Sequence, residues 1–451
     1  MSRTAPYFIL PAEFHAEDLL LNSPAAVEQA RYLVDLIFRK TRHHGLDQLH
    51  YARLNAKLLR EVIDGRNLKK IIEALCKAGV LEVDGSYEAG RIPKGYRLAK
   101  PFLNGEIVRR RIVVPSVRAR VERAWAKVRE EQRARRLPIH DALERAQQGL
   151  SFAADSDPSA TITGLRKKAS HACQRALARN ILDREPSFHI GRTGRVFNGL
   201  TGLARPVRKL VNLDGEPMAN IDLSCSQYAL LGILVEAAYA GHRINTTAGP
   251  EVLLRGLSAR SRDRSRVPDD VLEFVECTAE GRFYDTLLEQ VVADAPPVSG
   301  RLGSKLPWTR DRVKQRAMSQ ILAPQTLYQR GEVGAAFEKL FPSVAVFIAE
   351  VNRTDHGTLI RLLQKVEAAL VIHTVAPKLV ERIPIVTLHD AIYCRAGDIQ
   401  LVKEAFEEAF QELGIRIGLK VEATKMPNVI PSSLSSHTCG DASAVVASLA
   451  A

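Results

Sequence analysis

The residues with the clearest chemical potential are two aspartates. Asp222 lies in Ile221-Asp222-Leu223-Ser224-Cys225-Ser226-Gln227-Tyr228, and Asp390 ends the run Ile383-Pro384-Ile385-Val386-Thr387-Leu388-His389-Asp390. Each stands where an apolar strand is expected to end, a costly place for a carboxylate unless a hydrogen bond or a cation compensates it. Two such carboxylates brought together are what a site for two Mg²⁺ ions requires, Mn²⁺ being able to substitute. Hard oxygen ligands hold the metals, which bridge phosphates, activate an attacking hydroxyl and steady a leaving group. Arg310 and Lys314 are four residues apart and share one helical face. Turned towards the aspartates, they would hold a triphosphate and stabilise the charge developing on a leaving pyrophosphate. The structural alternatives are a helix N-cap at Asp222 and a solvated basic helix at 310–316.

Local elements must place these groups. Leu213-Asp214-Gly215-Glu216-Pro217 is a turn signal, a short strand climbs from it to Asp222, and the almost wholly apolar run from Tyr228 to Ala240 predicts a buried helix. Residues 383–388 and 391–395 predict two strands joined by a tight turn with Asp390 at its tip. Residues 337–351 and 359–375 predict buried helices, with Gln364 and Glu367 on the second. Residues 398–413 predict an amphipathic helix with Val402, Ala405, Phe406, Ala409 and Phe410 inward, and 415–422 alternates as a closing strand.

The first half of the chain carries positive charge. Leu54–Val62 and Leu68–Lys77 predict two helices, and 80–83 and 96–99 predict paired strands around a turn with Gly85, Gly90 and Pro93. Helix, helix, hairpin is a winged-helix pattern, on which Lys69, Lys70, Lys77, Arg91 and Lys94 would lie on phosphates; a protein-docking winged helix is the alternative. Residues 109–136 hold eleven basic side chains, with Val114, Val117, Val121, Trp125 and Val128 at helical steps, and predict a packed helix whose outer face meets phosphate. Residues 147–159 predict a linker, and 42–44 a solvated turn. Further basic clusters fall at Arg255, Arg260, Arg262, Arg264 and Arg266 and at Arg301 and Lys305.

The chain has 451 residues, 46% hydrophobic and 25% charged, enough for two or three domains, and its net charge of +13 favours a polyanionic partner. Six scattered cysteines without Cys-x-x-Cys spacing argue against structural zinc or a disulfide framework. No apolar stretch predicts a membrane span and the start lacks a signal-peptide core, so the expectation is a cytoplasmic protein without membrane contact.

Three segments carry a resemblance. Asp222-x-Ser224-Cys225-Ser226 resembles motif A of the single-subunit RNA polymerases of bacteriophages and mitochondria. Arg310-x-x-x-Lys314 with Met318 resembles their motif B, and His389-Asp390 resembles motif C, shared with family A DNA polymerases; the three stand in the family's order. Gly194-Arg195-Val196-Phe197 resembles the Gly-Arg-aromatic segment that precedes the palm, although Gly191 stands where the family has an aspartate. Leu322 replaces the tyrosine expected eight residues after Lys314, and Ala323-Pro324 follows instead of glycine, with Tyr328 further on as a shifted replacement.

The resemblance covers about residues 190–425 and implies template-directed nucleotidyl transfer with catalytic, metal-holding Asp222 and Asp390. It places Arg310 and Lys314 on the triphosphate, and Arg195, His389 and Gln364 on the nucleic acid. Gln227, five residues after Asp222, occupies the position that selects the sugar. Its size would obstruct a ribonucleotide, while its amide could instead bond the 2′-hydroxyl. With the N-terminal pattern, the expected fold is α+β: a mainly helical N-terminal region with a winged-helix unit (1–150) and a lead-in (151–189), then a right-hand polymerase palm of small antiparallel sheet and helices (190–241 and 371–430). A helical fingers insertion (242–370) interrupts the palm, and a disordered tail (431–451) ends the chain. The expected partners are a DNA template and NTPs or dNTPs. By analogy with the family, the expected role is a primase, RNA polymerase or primer-extending polymerase of a phage or mobile element. The rival expectation is a non-catalytic winged-helix initiator or regulator whose palm has decayed.

Overall fold

A computed structural model describes residues 6–41, 51–84, 94–165, 171–242, 264–294, 307–322 and 331–423. Arg42, His43, His44, Gly85, Gly90, Arg91, Pro93, Arg255, Arg260, Arg262, Arg301, Lys305, Ala323, Pro324, Tyr328 and the tail from 431 lie outside them. The described protein is a mixed α/β structure with small antiparallel sheets.

The N-terminal core begins with β1 (Tyr7–Pro11), over which packs α1 (Pro24–Thr41). Two buried acids on α1 tie the unit together. Asp35 accepts the Ile9 amide at 2.7 Å and the Arg39 guanidinium, and Glu28 accepts the Val113 and Val114 amides. Strand β2 (Ala52–Arg53), short helix α2 (Ala56–Leu59), α3 (Gly65–Lys77), β3 (Leu81–Asp84) and β4 (Gly95–Leu98) follow, with strand order β2-β4-β3. Asp64 caps α3, which buries Leu68, Ile71 and Leu75 and leaves Lys69 and Lys70 exposed. After α4 (Pro101–Asn104) the chain differs from the single helix expected over 109–136. Ile107–Arg111 form β5, paired antiparallel with β1, and the helix is α5 (Pro115–Arg133). Pro115 sets the boundary: without an N–H it suits the first turn of a helix.

Helix α6 (Pro138–Ala146) leads to β6 (Leu150–Phe152), and here the expected linker is corrected. Strand β6 pairs with β9 (Val211–Leu213) and joins the sheet that carries Asp222. Gly149 lies against the turn that follows β9: its carbonyl accepts the Asp214 amide at 2.9 Å, and a Cβ there would displace the Asp214 carboxylate. Between β6 and β9 come α7 (Pro158–Thr163), α8 (His171–Leu182), β7 (His189–Ile190), β8 (Val196–Phe197) and α9 (Arg205–Arg208).

The Asp214-Gly215 turn, both residues at positive φ, returns β9 into β10 (Glu216–Leu223). Strand β10 is the axis of the sheet. Its outer half lies between β12 (Ala391–Arg395) and β13 (Leu419–Ala423), and β11 (Val386–Leu388) pairs with β12. Behind it, α10 (Ser226–Tyr239) is buried on all sides; Gly232 lets α11 (Asp269–Ala279) approach, a Cβ there meeting Val275 at 3.3 Å.

Helices α12 (Phe283–Ala293), α13 (Arg310–Ala317), α14 (Gly331–Leu340), α15 (Pro342–Val351), α16 (Thr358–Ala368) and α17 (Ile399–Leu413) complete this core. The helix expected over 337–351 is two, broken at Phe341, because Pro342 cannot donate into a continuing helix. Among the described residues no helix is long and apolar enough to cross a membrane.

Candidate active site

Strand pairing brings the two aspartates together. Asp222 is the last residue of β10 paired with β12, opposite Ala391, and the Asp390 carbonyl accepts the Leu223 amide at 3.3 Å. Each aspartate is followed or preceded by a non-glycine residue in the left-handed region, Cys225 at φ 49° and His389 at φ 56°. Strain of this kind persists only where the surrounding structure enforces it. Around Cys225 the enforcement is visible. The Ser224 amide donates to the Gly418 carbonyl at 2.7 Å, and Gly418 and Gly281 give the Ser224 side chain room, their added Cβ atoms falling 3.3 and 3.6 Å from its Cβ.

The electrostatics identify the pair as incomplete. Burial first, and then the neighbouring Asp390 carboxylate, push the Asp222 carboxyl up to about 7, while Lys314 and Lys420 pull the other way. Its Oδ1 is shielded from water and has no hydrogen-bond donor. Like charges this close cannot both ionise cheaply, and a divalent cation would supply the missing partner to both. Two carboxylates fit Mg²⁺, which takes few protein ligands and completes its shell with phosphate and water oxygens. Among the described residues no group of three or more His, Cys, Asp or Glu side chains that could hold a metal comes together, so the protein's acidic donors here would be Asp222 and Asp390.

The two cations four residues apart share one face of α13. Arg310 and Lys314 both lie over the Tyr284 ring, at 5.5 and 5.8 Å from its centre, and Arg310 also pairs with Asp285 at 3.0 Å. Lys314 acts on Asp222, and both cations act on Cys225. Tyr284 and Lys420 belong to this group, and sequence reasoning missed them. Lys420 faces Asp222 across the β10–β13 ladder, a neighbour that only strand register supplies.

Arg195, expected on the nucleic acid, is engaged within the protein. Its guanidinium makes a bidentate pair with Glu367, Nε–Oε1 2.6 Å and Nη2–Oε2 2.7 Å, and the Gln227 amide donates to the same carboxylate at 2.5 Å. Glu367 is only 1% exposed, and burial pushes its carboxyl up to about 7 against the pull of Arg195. Gln364, on the same helix, is half-buried; Glu367 is the residue that reaches Arg195. The visible signal was a lone acid in the apolar run of α16. His389 packs edge-on against Phe197 at 5.6 Å, its Nδ1 buried without a partner. Burial lowers its pKa to about 4, so it is neutral. Lys69 and Lys70 lie exposed on α3, away from this cluster; Lys69 pairs with Glu73.

No family model matches this chain, and no curated protein matches it. Among solved structures it is similar to the POL domain of Pol1 from M. smegmatis, in complex with DNA primer-template and dNTP, at 13% sequence identity and a TM-score of 0.27. The likeness covers 66% of this chain and 65% of that one, so the chain spans less than two thirds of the structure it matches.

Proposed function

We propose that this chain is a template-directed nucleotidyltransferase, with Asp222 and Asp390 as its metal-holding catalytic pair. One observation carries the reading: the Asp222 carboxylate near the end of β10 and the Asp390 carboxylate in the turn before β12 lie close enough to disfavour each other's charge, with Lys314 acting on the pair and Arg310 beside Lys314 on the Tyr284 ring. Bound Mg²⁺ would activate a primer or nucleotide hydroxyl and steady the leaving pyrophosphate. Asp222 and Asp390 orient that centre from a rigid sheet. Lys314 and Arg310, held on Tyr284, bind the triphosphate oxygens, and their fixed charges offset negative charge as the phosphoryl bond breaks. His389 and the face of α16 bearing Gln364 would contact the nucleic acid. The N-terminal α2–α3–β3–β4 unit, read as a winged helix, would bring Lys69, Lys70 and Lys77 to DNA phosphates. Residues 1–150 then form the nucleic-acid-binding region, 190–241 and 371–430 the palm, and 242–370 the fingers. The order of motifs also supports a primase, RNA polymerase or primer-extending polymerase as the kind of transferase.

The test is incubation with Mg²⁺, a single-stranded DNA template and labelled nucleotides, ribo- against deoxy-, with and without primer. Asp390→Ala is the control. Product that requires Mg²⁺ and Asp390 sustains the reading. Tight DNA binding with no product under any condition replaces it with a non-catalytic initiator or regulator.

A further inference from the structure

A glutamine side chain can present either a donor or an acceptor, and what it bonds decides which. Here the choice is made by a residue 140 positions away in the chain, Glu367. Its two oxygens receive three N–H groups: Nε and Nη2 of Arg195 and Nε2 of Gln227. Every contact is a donated N–H, so the carboxylate serves as acceptor throughout and leaves Gln227 one orientation. The other end of the amide, Oε1, has no partner among the described residues, and it is not among the buried atoms that lack one. Gln227 is half-buried on the first turn of α10, which follows the Asp222-bearing strand β10 after two residues. Glu367 in turn feels the charge of Asp390. The Gln227–Glu367 contact is therefore tied to the aspartate pair from both ends, through β10 on one side and through the Asp390 charge on the other.

We infer that Glu367 is a positioning residue that commits the Gln227 carbonyl oxygen to the nucleotide site, so that the site takes ribonucleotides, whose 2′-hydroxyl can donate to it, over deoxynucleotides, which leave it unpaired. This rests on the nucleotidyltransferase reading above. It replaces a selection by size with a selection by hydrogen-bond donor, and the two differ in what they reject. A size filter passes any small 2′ substituent, including fluorine. A fixed acceptor passes hydroxyl and amino groups, and discriminates against both hydrogen and fluorine. Arg195 supplies the rest of the lock: its planar fork occupies both oxygens of Glu367 and holds the carboxylate still.

The experiment measures kcat/KM for template-directed incorporation of nucleotides bearing 2′-OH, 2′-NH₂, 2′-F and 2′-H on the wild-type chain. Calorimetric binding of ATP and dATP without template provides the readout independent of turnover. Leaving an unpaired acceptor in a half-open site is expected to make the two donors roughly tenfold or more better than 2′-F and 2′-H. Gln227→Leu, similar in size but without an acceptor, should bring that ratio to within about threefold of unity. Glu367→Gln, which lets the amide turn, should do the same, and the double variant should add nothing further. A general loss of structure would lower all four nucleotides together and leave the ratio in place. Should Glu367→Gln fail to fold, Arg195→Lys, which gives up the two-point hold on the Glu367 carboxylate, takes its place and should lower the ratio in the same direction. Equal or better use of 2′-H and 2′-F by the wild type overturns the inference while leaving the polymerase reading intact, as does a ratio that both variants preserve. No incorporation of any nucleotide above the Asp390→Ala background overturns both.

Discussion

Replacing Asp222 with asparagine should stabilise the metal-free protein while removing its activity. The folded carboxyl titrates at about 7 and its ordinary value is 3.8, which at 1.36 kcal/mol per pKa unit is a penalty of roughly 4 kcal/mol at alkaline pH. Water entering the cleft reduces this, so the expected gain is about 2–4 kcal/mol. The sign follows from proton counting. Between these two pKa values the folded protein holds a proton that the unfolded chain has released, so stability falls as pH rises through that window and the full penalty is present above about pH 8. Asparagine keeps the shape, cannot ionise, and can donate its amide to Asp390. The gain should therefore be largest at pH 8 and about half as large at pH 5.5. Hydrogen exchange of β10 and α10 amides across a urea series, in EDTA, reads this core without assuming that the whole chain unfolds in one step. An Asp222→Asn protein less stable than wild type at pH 8, or one equally stabilised at both pH values, would refute the argument that the pair is charge-deficient.

Adding Mg²⁺ should close most of that gap. At a hundred times its Kd it should stabilise the wild type by about 2.7 kcal/mol, seen as a raised Tm, with little shift in Asp222→Asn. Lys314→Ala and Arg310→Ala should each raise the nucleotide KM about tenfold or more and flatten its salt dependence. Tyr284→Leu should reproduce part of that effect and Tyr284→Phe almost none, because the cations use the ring face; steady-state kinetics separate them. Arg195→Leu should destabilise the fold by about 3–5 kcal/mol, since it strands the buried Glu367. That loss should grow as pH rises through 7, where Glu367 must ionise, and Arg195→Leu with Glu367→Gln should recover much of it in thermal melts.

Much of this site was legible in the sequence because its signals are local. An Asp-Gly turn fixes the β9–β10 hairpin, the apolar run after Asp222 fixes a helix buried on all faces, and the 3–4 spacing of Val402, Ala405, Phe406, Ala409 and Phe410 fixes the buried stripe of α17. Each follows from the backbone conformation or the period of a few consecutive residues. The four-residue step from Arg310 to Lys314 put both cations on one helical face, and the fold sets the Tyr284 ring against that face. Local composition misled where it was not the deciding force. Gly149 looked like a linker residue, but it is the point where β6 meets Asp214. Three arginines that looked helical form β5, because Pro115 starts the helix after them and β1 offers a partner strand.

What the tertiary structure alone decided is which distant groups share a partner. That Asp222 sits in register with Lys420, that Tyr284 lies under the motif-like cations, and that Arg195, Gln227 and Glu367 form one buried cluster all depend on strand register and helix packing. Contacts between residues more than a hundred positions apart leave no trace in local periodicity. Glu367 shows the limit best: as a residue type in an apolar helix it announced that something must neutralise it, but only the folded chain could say that an arginine and a glutamine do so.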